Sequence, residues 1–268
     1  FETYNVEDGH FTLYMPAEEG FFDGMEKEYK VKVYENFYAD FETGDGNTLR
    51  IYRLRSDVNL TDLWEGSYPQ TMSEIAIDRL YAENNGISLG DFITVNGRRF
   101  KVTGFVALTD YSALFKNNTD MMSDANKFTV ALVSDIDFDA IQNNALKYCY
   151  SWVNDDRTLS VEECSDRAED VMHWLAERAV ITDFLKREDN QAISFTGTDM
   201  GSDKGMITAM LYVTMVIMAF IFAVTTSNTI EKEATVIGTL RASGYSRGEL
   251  LRHYIALPII VSLIAAVV

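Results

Sequence analysis

The sequence predicts an α+β domain that is followed by transmembrane α-helices, and three observations carry this prediction. Short β-rich runs and helical patterns follow one another without βαβ regularity over the first part of the chain. Gly205–Ile230 then contains no charged residue, and a second apolar run, Tyr254–Val268, follows a short polar loop. The predicted organisation is a domain at residues 1–203, a transmembrane helix at 204–227, a loop at 228–253 and the start of the next transmembrane helix at 254–268.

A β-hairpin is the clearest local structure of the first domain. Phe92–Val95 and Arg99–Ala107 are rich in β-branched and aromatic residues, and Asn96-Gly97 between them favours a type I′ turn. Gly104, inside the second run, indicates a bulge or close packing at that point. Three other runs are predicted strands: Lys30–Ala39, Thr48–Leu54 and Phe128–Ser134.

Two helices are predicted in the same domain. Glu74–Asn84 has a helical pattern, and Gly86 after it suits the left-handed residue that ends many helices. Val161–Phe184 is preceded by Ser160, which has capping-box spacing to Glu163. The apolar stripe of this second helix consists of Val161, Cys164, Ala168, Val171, Leu175 and Ala179.

The run Met206–Val224 has the length and composition of a membrane span. It contains no Asp, Glu, Lys, Arg, Gly or Pro, and about twenty residues at a rise of about 1.5 Å cover roughly 30 Å of hydrocarbon. Its position far from the first residue excludes a signal peptide. The polar, glycine-rich Gly197–Gly205 is predicted to be a connector into the span. Because the second run stops in mid-pattern and the sequence starts at Phe1, we expect a fragment of a longer protein.

Charge predicts the orientation in the membrane. The loop between the two apolar runs holds four basic residues, Lys232, Arg241, Arg247 and Arg252, against three acidic ones, whereas the whole chain has a net charge of −18. Short basic loops stay in the cytoplasm. We therefore expect a multi-pass protein of the plasma membrane, in contact with lipid, whose residues before 204 are extracytoplasmic and whose residues 228–253 are cytoplasmic. The acidic balance excludes nucleic acid as a partner, since binding phosphates needs a basic patch.

The sequence offers no catalytic motif. The three histidines, His10, His173 and His253, are scattered, and no zinc-protease, hydrolase or phosphate-loop pattern occurs. We therefore expect a protein that is not an enzyme, with no catalytic, cofactor-binding or metal-binding residue in this chain.

Two side-chain groups leave alternatives open. Asp135, Asp137 and Asp139 could be imagined as a cation site, but they lack the glycine and the distal Glu of a calcium loop, so solvated turn carboxylates are the simpler interpretation. Cys149 and Cys164 either pair in an oxidising exterior or stay as thiols, and Cys164 falls on the apolar stripe of its predicted helix.

Helix signals define the loop between the two apolar runs. The first membrane helix can continue past the membrane surface to about Arg241, where Gly244 supplies a left-handed stop. Ser246 with Glu249 forms a second capping box that starts the next helix. The result is a helix, a sharp turn and a helix, which either transmits motion between a soluble partner and the spans or is a plain interhelical loop.

A family resemblance favours the first alternative. The loop residues that carry it are Asn228, Glu231, Glu233, Ile237-Gly238, Leu240-Arg241-Ala242, Gly244-Tyr245 and Glu249-Leu250, and with them the loop resembles that of FtsX-like/MacB-like ABC transporter permeases. Residues 1–203 also resemble the MacB-type periplasmic core domain. The matching residues are Gly66, Pro69, Glu74-Ile75-Ala76, Leu89-Gly90-Asp91 and Val102-Thr103-Gly104.

The resemblance implies a permease subunit that works by mechanotransmission. A separate cytoplasmic ATPase subunit would bind ATP and Mg²⁺, and the loop would carry its motion to the extracytoplasmic domain. It further implies a homodimer or pseudo-dimer of permease halves, and an extracytoplasmic protein or peptide as a candidate partner. The implied tasks are efflux, lipoprotein or peptide handling, and regulation of cell-wall hydrolases. The residues expected to couple to the ATPase are Ile237, Gly238, Leu240, Arg241, Gly244 and Tyr245.

A second class of protein shares the spans and the acidic exterior. A membrane-anchored extracellular sensor or adhesion protein would work without an ATPase and should carry a cytoplasmic signalling domain beyond Val268. It would not need a short loop with two capping signals. A membrane-tethered hydrolase is disfavoured because its motifs are missing.

Overall fold

The computed structural model describes the backbone of residues 2–141 and 145–267. It describes the side chains of the same ranges apart from residues 2, 198–203, 257–258 and 261–267. The chain divides into two compact units, Phe1–Thr198 and Asp199–Val268. They are called the N-terminal domain and the helical unit below.

The described residues form strands and helices up to β11, and helices alone after it. The strands are β1 (Gly9–Leu13), β2 (Val31–Glu35), β3 (Tyr38–Glu42), β4 (Thr48–Arg53), β5 (Thr61–Gly66), β6 (Glu74–Asp78), β7 (Phe92–Val95), β8 (Arg98–Leu108), β9 (Phe128–Val133), β10 (Tyr148–Asn154) and β11 (Ile181–Lys186). The helices are α1 (Asp23–Tyr29), α2 (Arg79–Asn84), α3 (Asp135–Asp139), α4 (Val161–Ala176), α5 (Gln191–Lys232), α6 (Ala234–Ala242) and α7 (Arg247–Val267).

The strands of the N-terminal domain form two sheets. The first has four antiparallel strands in the order β11-β1-β10-β2. The second has seven strands in the order β3-β4-β9-β6-β8-β5, with β7 paired to β8. In the second sheet β4–β9 and β6–β8 are parallel, and the other pairs are antiparallel. One antiparallel and one mixed sheet, together with the helices, confirm the predicted α+β class.

Each sheet has its own apolar core. In the first, Phe11 of β1 and Trp152 of β10 stack and pack with α1 and α4, whose buried residues include Met25 and Leu175. In the second, all six residues of the central strand β9 are buried, so both of its faces are covered. The strands β4, β6 and β8 contribute the buried Leu49, Ile75, Ile77 and Val102.

The predicted hairpin is confirmed, and its glycine is a point of close packing. Asn96 and Gly97 both have positive φ angles, 50° and 75°, as a type I′ turn requires. Opposite Gly104 the register with β6 shifts between Ile75 and Ala76. A Cβ atom at Gly104 would lie 2.4 Å from the carbonyl oxygen of Ser67. The chain therefore needs a glycine at this point for space.

Two of the predicted elements differ in the structure. Lys30–Ala39 is not one strand: it breaks at Asn36-Phe37, so that β2 joins the first sheet and β3 the second. Glu74–Asn84 is not one helix, since Glu74–Asp78 forms the central strand β6. Asp78 then accepts hydrogen bonds from the backbone N–H of Leu80 and Tyr81 and starts α2.

The long predicted helix and the connector also differ from expectation. The capping box of Ser160 and Glu163 is confirmed, but α4 ends at Ala176 and the chain re-enters the first sheet as β11. Val161, expected on the apolar stripe, is 68% exposed. Gly197–Gly205 is helical and lies within α5. Both cysteines are free thiols.

A buried carboxylate before β1 links the two sheets. Glu7 has 2% of its side chain exposed, and it accepts hydrogen bonds from Asn59, which follows β4, and from Ser151 of β10. His10 of β1 contacts the same carboxylate at 2.6 Å. Burial by itself raises the pKa of Glu7, but His10 and the hydrogen bonds outweigh it and lower the pKa from 4.5 to about 2. Burial likewise lowers the pKa of His10, and Glu7 raises it above 6.5 in the balance.

The next residue, Asp8, contacts the chain at the ends of β10 and β11. Its carboxylate, 5% exposed, accepts from Arg157 at 3.1 Å and from Arg187 at 2.6 Å. It also accepts from the backbone N–H of Asn154 at 2.7 Å. The adjacent carboxylates of Glu7 and Asp8 thus hold the start of β1 in place through ion pairs and hydrogen bonds.

Enlarging Gly104 should destabilise the N-terminal domain. We expect Gly104→Ala to lower the free energy of unfolding by about 2 kcal/mol, because the new methyl group must displace the backbone at Ser67. Urea unfolding of the full chain in detergent, followed by tryptophan fluorescence, measures this. Gly24→Ala is the control, since its Cβ would make only an ordinary 3.8 Å contact with Trp174. Equal stabilities of the two variants would contradict the packing argument.

The Glu7–His10 pair should give the domain a stability maximum between about pH 4.5 and 6.5. A carboxylate whose pKa falls on folding stabilises above its unfolded pKa, and roughly 3 kcal/mol should be lost between pH 4.5 and 2. The raised pKa of His10 stabilises below pH 6.5, and this contribution is lost as the pH rises further.

The unfolding free energy measured against pH tests this. Glu7→Gln should reduce both the loss of unfolding free energy below pH 4.5 and the loss above pH 6.5. Glu65→Gln, at an exposed carboxylate of β5, should keep the pH dependence of the wild type. The same pH dependence in the wild type and in Glu7→Gln would refute the assignment.

Candidate functional site

The candidate site begins with a helix that has the properties of a membrane span. Within α5, Lys204–Lys232 is long and apolar enough to cross a bilayer, and among the described residues it is the one helix that qualifies. Its large apolar side chains are exposed, for example Met210 at 68% and Phe220 at 70%. A core helix of a soluble protein would bury them. Thr208 and Thr214 donate their hydroxyls to carbonyls four residues earlier, which satisfies these polar groups within the helix.

The second predicted span lies in α7. The backbone is helical over Arg247–Val267, but the side chains of residues 257–258 and 261–268 lie outside the described residues. Its character as a span therefore stays a prediction.

A short break separates the span from the next helix. The sequence predicts one helix to about Arg241, whereas α5 ends at Lys232 and α6 starts at Ala234. Glu233 between them has φ −96° and ψ 11°. Its carboxylate accepts a hydrogen bond from the hydroxyl of Tyr254 in α7, so the break is tied to the following helix. No glycine or proline occurs at this position, so the break between α5 and α6 could not be predicted from the sequence.

The stop after α6 is a Schellman motif. The N–H of Gly244 donates to the carbonyl of Arg241 at 3.1 Å, and the N–H of Tyr245 donates to the carbonyl of Leu240 at 3.1 Å. Gly244 has φ +102°, a conformation that L side chains rarely adopt. The predicted left-handed stop is confirmed, and four of the predicted coupling residues form it.

A capping box begins α7 two residues later. The hydroxyl and the backbone N–H of Ser246 both donate to the Glu249 carboxylate, at 2.8 and 2.9 Å. The N–H of Glu249 donates back to the Ser246 hydroxyl at 3.3 Å. These hydrogen bonds to its carboxylate lower the pKa of Glu249. The second predicted cap is confirmed, and only Tyr245 separates it from the stop.

The six predicted coupling residues lie on α6 and its stop. Ile237 and Leu240 are half-buried, and the other four are exposed. A Cβ atom at Gly238 would meet no described atom within 4 Å. Arg241 forms no salt bridge with any residue whose side chain the structure describes. The site is therefore an exposed helix and turn with a bare backbone patch and an exposed cation.

The aspartate cluster has a structural role. Asp137 is buried and accepts from Ser73, Ser134 and Arg98, the last at 2.6 Å. It is therefore not the solvated carboxylate that we expected. Asp135 and Asp139 both pair with Arg53. Within the described ranges, no group of three or more His, Cys, Asp or Glu side chains is arranged to hold a metal ion.

A family model matches the segment that contains the site. Residues 208–268, which include the whole predicted loop, match the family described as FtsX-like permease C-terminal. The predicted resemblance of this segment to FtsX-like permeases is therefore confirmed. The general class that the match supports is a membrane permease subunit of an ABC transporter, and such a permease implies an ATPase partner in general.

Two solved structures are similar to part of the chain. One is the extracellular domain of a noncanonic ABC-type transporter, YknZ, from Gram-positive bacteria. It has 12% identity and a TM-score of 0.37, and the match covers 65% of this chain and 100% of that one. The other is the periplasmic region of MacB from Actinobacillus actinomycetemcomitans, also with 12% identity and a TM-score of 0.37, over 68% and 90% of the two chains. No curated protein matches the chain. Function is inferred below from the family match and the loop.

Proposed function

We propose that this chain is the permease subunit of a mechanotransmission ABC transporter. A separate cytoplasmic ATPase subunit, which binds ATP and Mg²⁺, would act on the loop, and the spans would move the extracytoplasmic N-terminal domain. The observation that carries the proposal is the helix–stop–helix of residues 234–249, fixed at both of its turns and lying within the matched segment.

Stiffness of the loop supports a role in transmission. The Schellman motif fixes the end of α6, the capping box fixes the start of α7, and the Glu233–Tyr254 hydrogen bond ties the break before α6 to α7. A segment whose polar groups are bonded at every turn moves as a unit. A flexible linker would absorb a displacement that is applied to it.

The mid-helix glycine supports a docking surface. Glycine in a helix interior costs about 1 kcal/mol relative to alanine, and no described neighbour requires the small residue at Gly238. Close approach of a partner to the backbone of α6 would explain it. Arg241 would then pair with a carboxylate of the ATPase, in addition to its favourable position near the end of the helix.

The start of α5 supports transmission toward the N-terminal domain. In that domain the Gln191 N–H donates to Asn118 at 2.8 Å, and the Ser112 hydroxyl lies 2.9 Å from the Ala192 carbonyl. Phe195 packs edge-on against Phe115 with ring centroids 5.3 Å apart. The predicted connector is helical and belongs to the same helix, α5.

The proposal extends to the surroundings of the chain. We expect contact with lipid, a homodimer or pseudo-dimer of permease halves, and an extracytoplasmic protein or peptide as the object of the movement. Efflux, lipoprotein or peptide handling and control of a cell-wall hydrolase are all compatible with this design. An extracellular sensor or adhesion protein without an ATPase is the alternative that the experiments below would expose.

Changes at the stop should uncouple the ATPase. Gly244→Pro removes the N–H donor and cannot reach φ +102°, and Tyr245→Asp adds a charge to a side chain that is 52% exposed. In the reconstituted complex we expect both to reduce stimulation of ATP hydrolysis by the permease at least about tenfold, a loss of about 1.4 kcal/mol of coupling. Tyr245→Phe, which keeps the ring, should retain it.

Unchanged stimulation in both variants would refute the coupling role of the loop. Before stimulation is measured, the full-length protein should co-purify with an ATPase subunit from its own membranes. Substitution of Leu240 and Tyr245 should abolish this co-purification. A protein that purifies without an ATPase would favour the sensor or adhesion alternative.

The orientation can be tested by labelling single cysteines in whole cells. In a Cys164→Ser background, with Cys149 buried, a membrane-impermeant maleimide should label Asp62→Cys on β5. It should label Ser243→Cys, in the loop, only after the membrane is permeabilised. Both positions are exposed, so that access depends on the side of the membrane. The reverse pattern would refute the orientation predicted from charge.

A further inference from the structure

A cavity of about 300 Å³ lies between the two sheets of the N-terminal domain. His10 and Asp183 line it from the first sheet, and Tyr38 and Arg50 line it from the second. Side chains alternate along a strand, so His10 lies on the face of β1 opposite to the core residue Phe11. The first sheet thus turns a polar face to the cavity, whose volume is at the lower end of the range of small-molecule sites.

His10 has a ring nitrogen that no described residue uses. Its Nδ1 lies 2.6 Å from the carboxylate of Glu7, and an ionised carboxylate only accepts hydrogen bonds, so Nδ1 carries a proton. Nε2 has no hydrogen-bond partner among the described residues, and Oδ2 of Asp183, at 4.0 Å, is too far away. The fully buried polar atoms that lack a partner belong to other described side chains, and 19% of the His10 side chain is exposed. A group in the cavity can therefore reach Nε2.

The charged groups that line the cavity balance one another. Three ion pairs account for most of them: Glu7–His10, Arg50–Asp40 and Asp110–Arg55. The two other charged residues of the lining, Asp183 and Lys116, are exposed and opposite in sign. An ion would add a net charge to this balanced set, which is unfavourable away from bulk water. The cavity therefore favours a ligand that is polar and carries no net charge.

The gap between His10 and Asp183 fits one hydroxyl group. With two hydrogen bonds of about 2.8 Å, a single oxygen atom spans the 4.0 Å gap at an angle of about 90°. The Asp183 side chain is 62% exposed, so a small rotation can widen this angle.

The protonation states decide which group can bridge the gap. Burial by itself lowers the pKa of His10, but Glu7 outweighs it and keeps the pKa above 6.5, so the ring is cationic in weakly acidic solution. Nε2 then donates, and the Asp183 carboxylate accepts. A bridging hydroxyl accepts from the first and donates to the second. An ammonium group cannot accept and a carboxylate cannot donate, so either would face a like charge.

Other side chains of the lining suit a ligand with several hydroxyls. The hydroxyl of Tyr38 makes no hydrogen bond with a described residue and is not fully buried. Leu185 and Tyr111, both half-buried, add apolar surface from opposite sides of the cavity. Polar groups at fixed points beside apolar surface are what a ring with hydroxyls and C–H groups requires.

We propose that this cavity binds an uncharged sugar. One hydroxyl of the sugar bridges Nε2 of His10 and the carboxylate of Asp183, and a second bonds to the hydroxyl of Tyr38. The C–H groups of the ring contact Leu185 and Tyr111. This site is separate from the loop that is proposed to contact the ATPase, and its test does not depend on that proposal.

Binding can be measured by calorimetry on the full chain at pH 6, in a detergent without a sugar headgroup. The probes are glucose, galactose, mannose, ribose and N-acetylglucosamine, tested singly at millimolar concentration. We expect at least one of them to bind. Asp183→Ala should weaken the tightest binder about tenfold, because the bridging hydroxyl loses a charged acceptor. Asp62→Ala is the matched control, since Asp62 is exposed on β5 and does not line the cavity. Its affinity should change less than twofold.

Deoxy analogues of the tightest sugar identify the bridging hydroxyl. The analogue that lacks it should bind the wild type about tenfold more weakly than the parent sugar, but should bind Asp183→Ala as the parent does. Tyr38→Phe is a second variant. It should weaken binding several-fold without unfolding the domain, since the hydroxyl that it removes has no partner among the described residues. Tyr34→Phe, on β2 and outside the lining of this cavity, should change affinity less than twofold.

Three results would overturn the proposal: no sugar binds the wild type, Asp183→Ala binds like the wild type, or every deoxy analogue loses as much affinity in Asp183→Ala as in the wild type. Water alone would then fill the cavity. Binding of N-acetylglycinamide without binding of any sugar would also refute a sugar site and indicate a peptide backbone. Methyl glycosides of the tightest sugar distinguish its source, because the end of a glycan must bind with its anomeric oxygen substituted, whereas a site for the free sugar excludes the methyl group.

Discussion

The N-terminal domain depends on one buried carboxylate. Glu7 stands before β1 and accepts hydrogen bonds from Ser151 of β10 in the first sheet and from Asn59, in the segment between β4 and β5 of the second sheet. A carboxylate without partners could not remain ionised at 2% exposure. Its partners and its burial therefore require one another, since Ser151 and Asn59 both donate to the same carboxylate oxygen, Oε2, and His10 contacts the other, Oε1. An apolar side chain at this position would leave Asn59 and Ser151 with buried, unpaired polar atoms.

Polar contacts of this kind explain why the domain keeps cavities between its sheets. The apolar cores lie within each sheet and its helices, where side chains interdigitate, as Phe11 and Trp152 do. Where the two sheets meet, ion pairs and contacts with aromatic faces replace this apolar packing. Arg50 forms a bidentate contact with Asp40 and stacks 4.3 Å above Tyr38. Directed hydrogen bonds fix groups at set distances and do not fill space as aliphatic side chains do, so cavities remain between the sheets.

Local signals were predictable from the sequence, and elements set by tertiary contacts were not. The Asn96-Gly97 turn, the Ser160 cap and the Gly244 stop all act within a few residues, and each was found where predicted. The segment Glu74–Asp78 reads equally well as a helix. It becomes a strand because β9 and β8 pair with it on both sides, and no local pattern encodes that pairing. The true end of α4 at Ala176 was missed because Ala179 continues the apolar period into the turn before β11.

The geometry of the stop shows which residues of the loop the turn requires and which it does not. Leu240, Arg241 and Tyr245 take part in the Schellman motif through backbone atoms alone, so their side chains are not needed for the turn. Only Gly244 is required there, because of its positive φ. Gly238 has no packing reason among the described residues either. The loop residues therefore fall into two groups. Gly244, Ser246 and Glu249 build the turn, whereas the turn does not require the side chains of Leu240, Arg241 and Tyr245, and these are the residues that we propose for the contact with an ATPase.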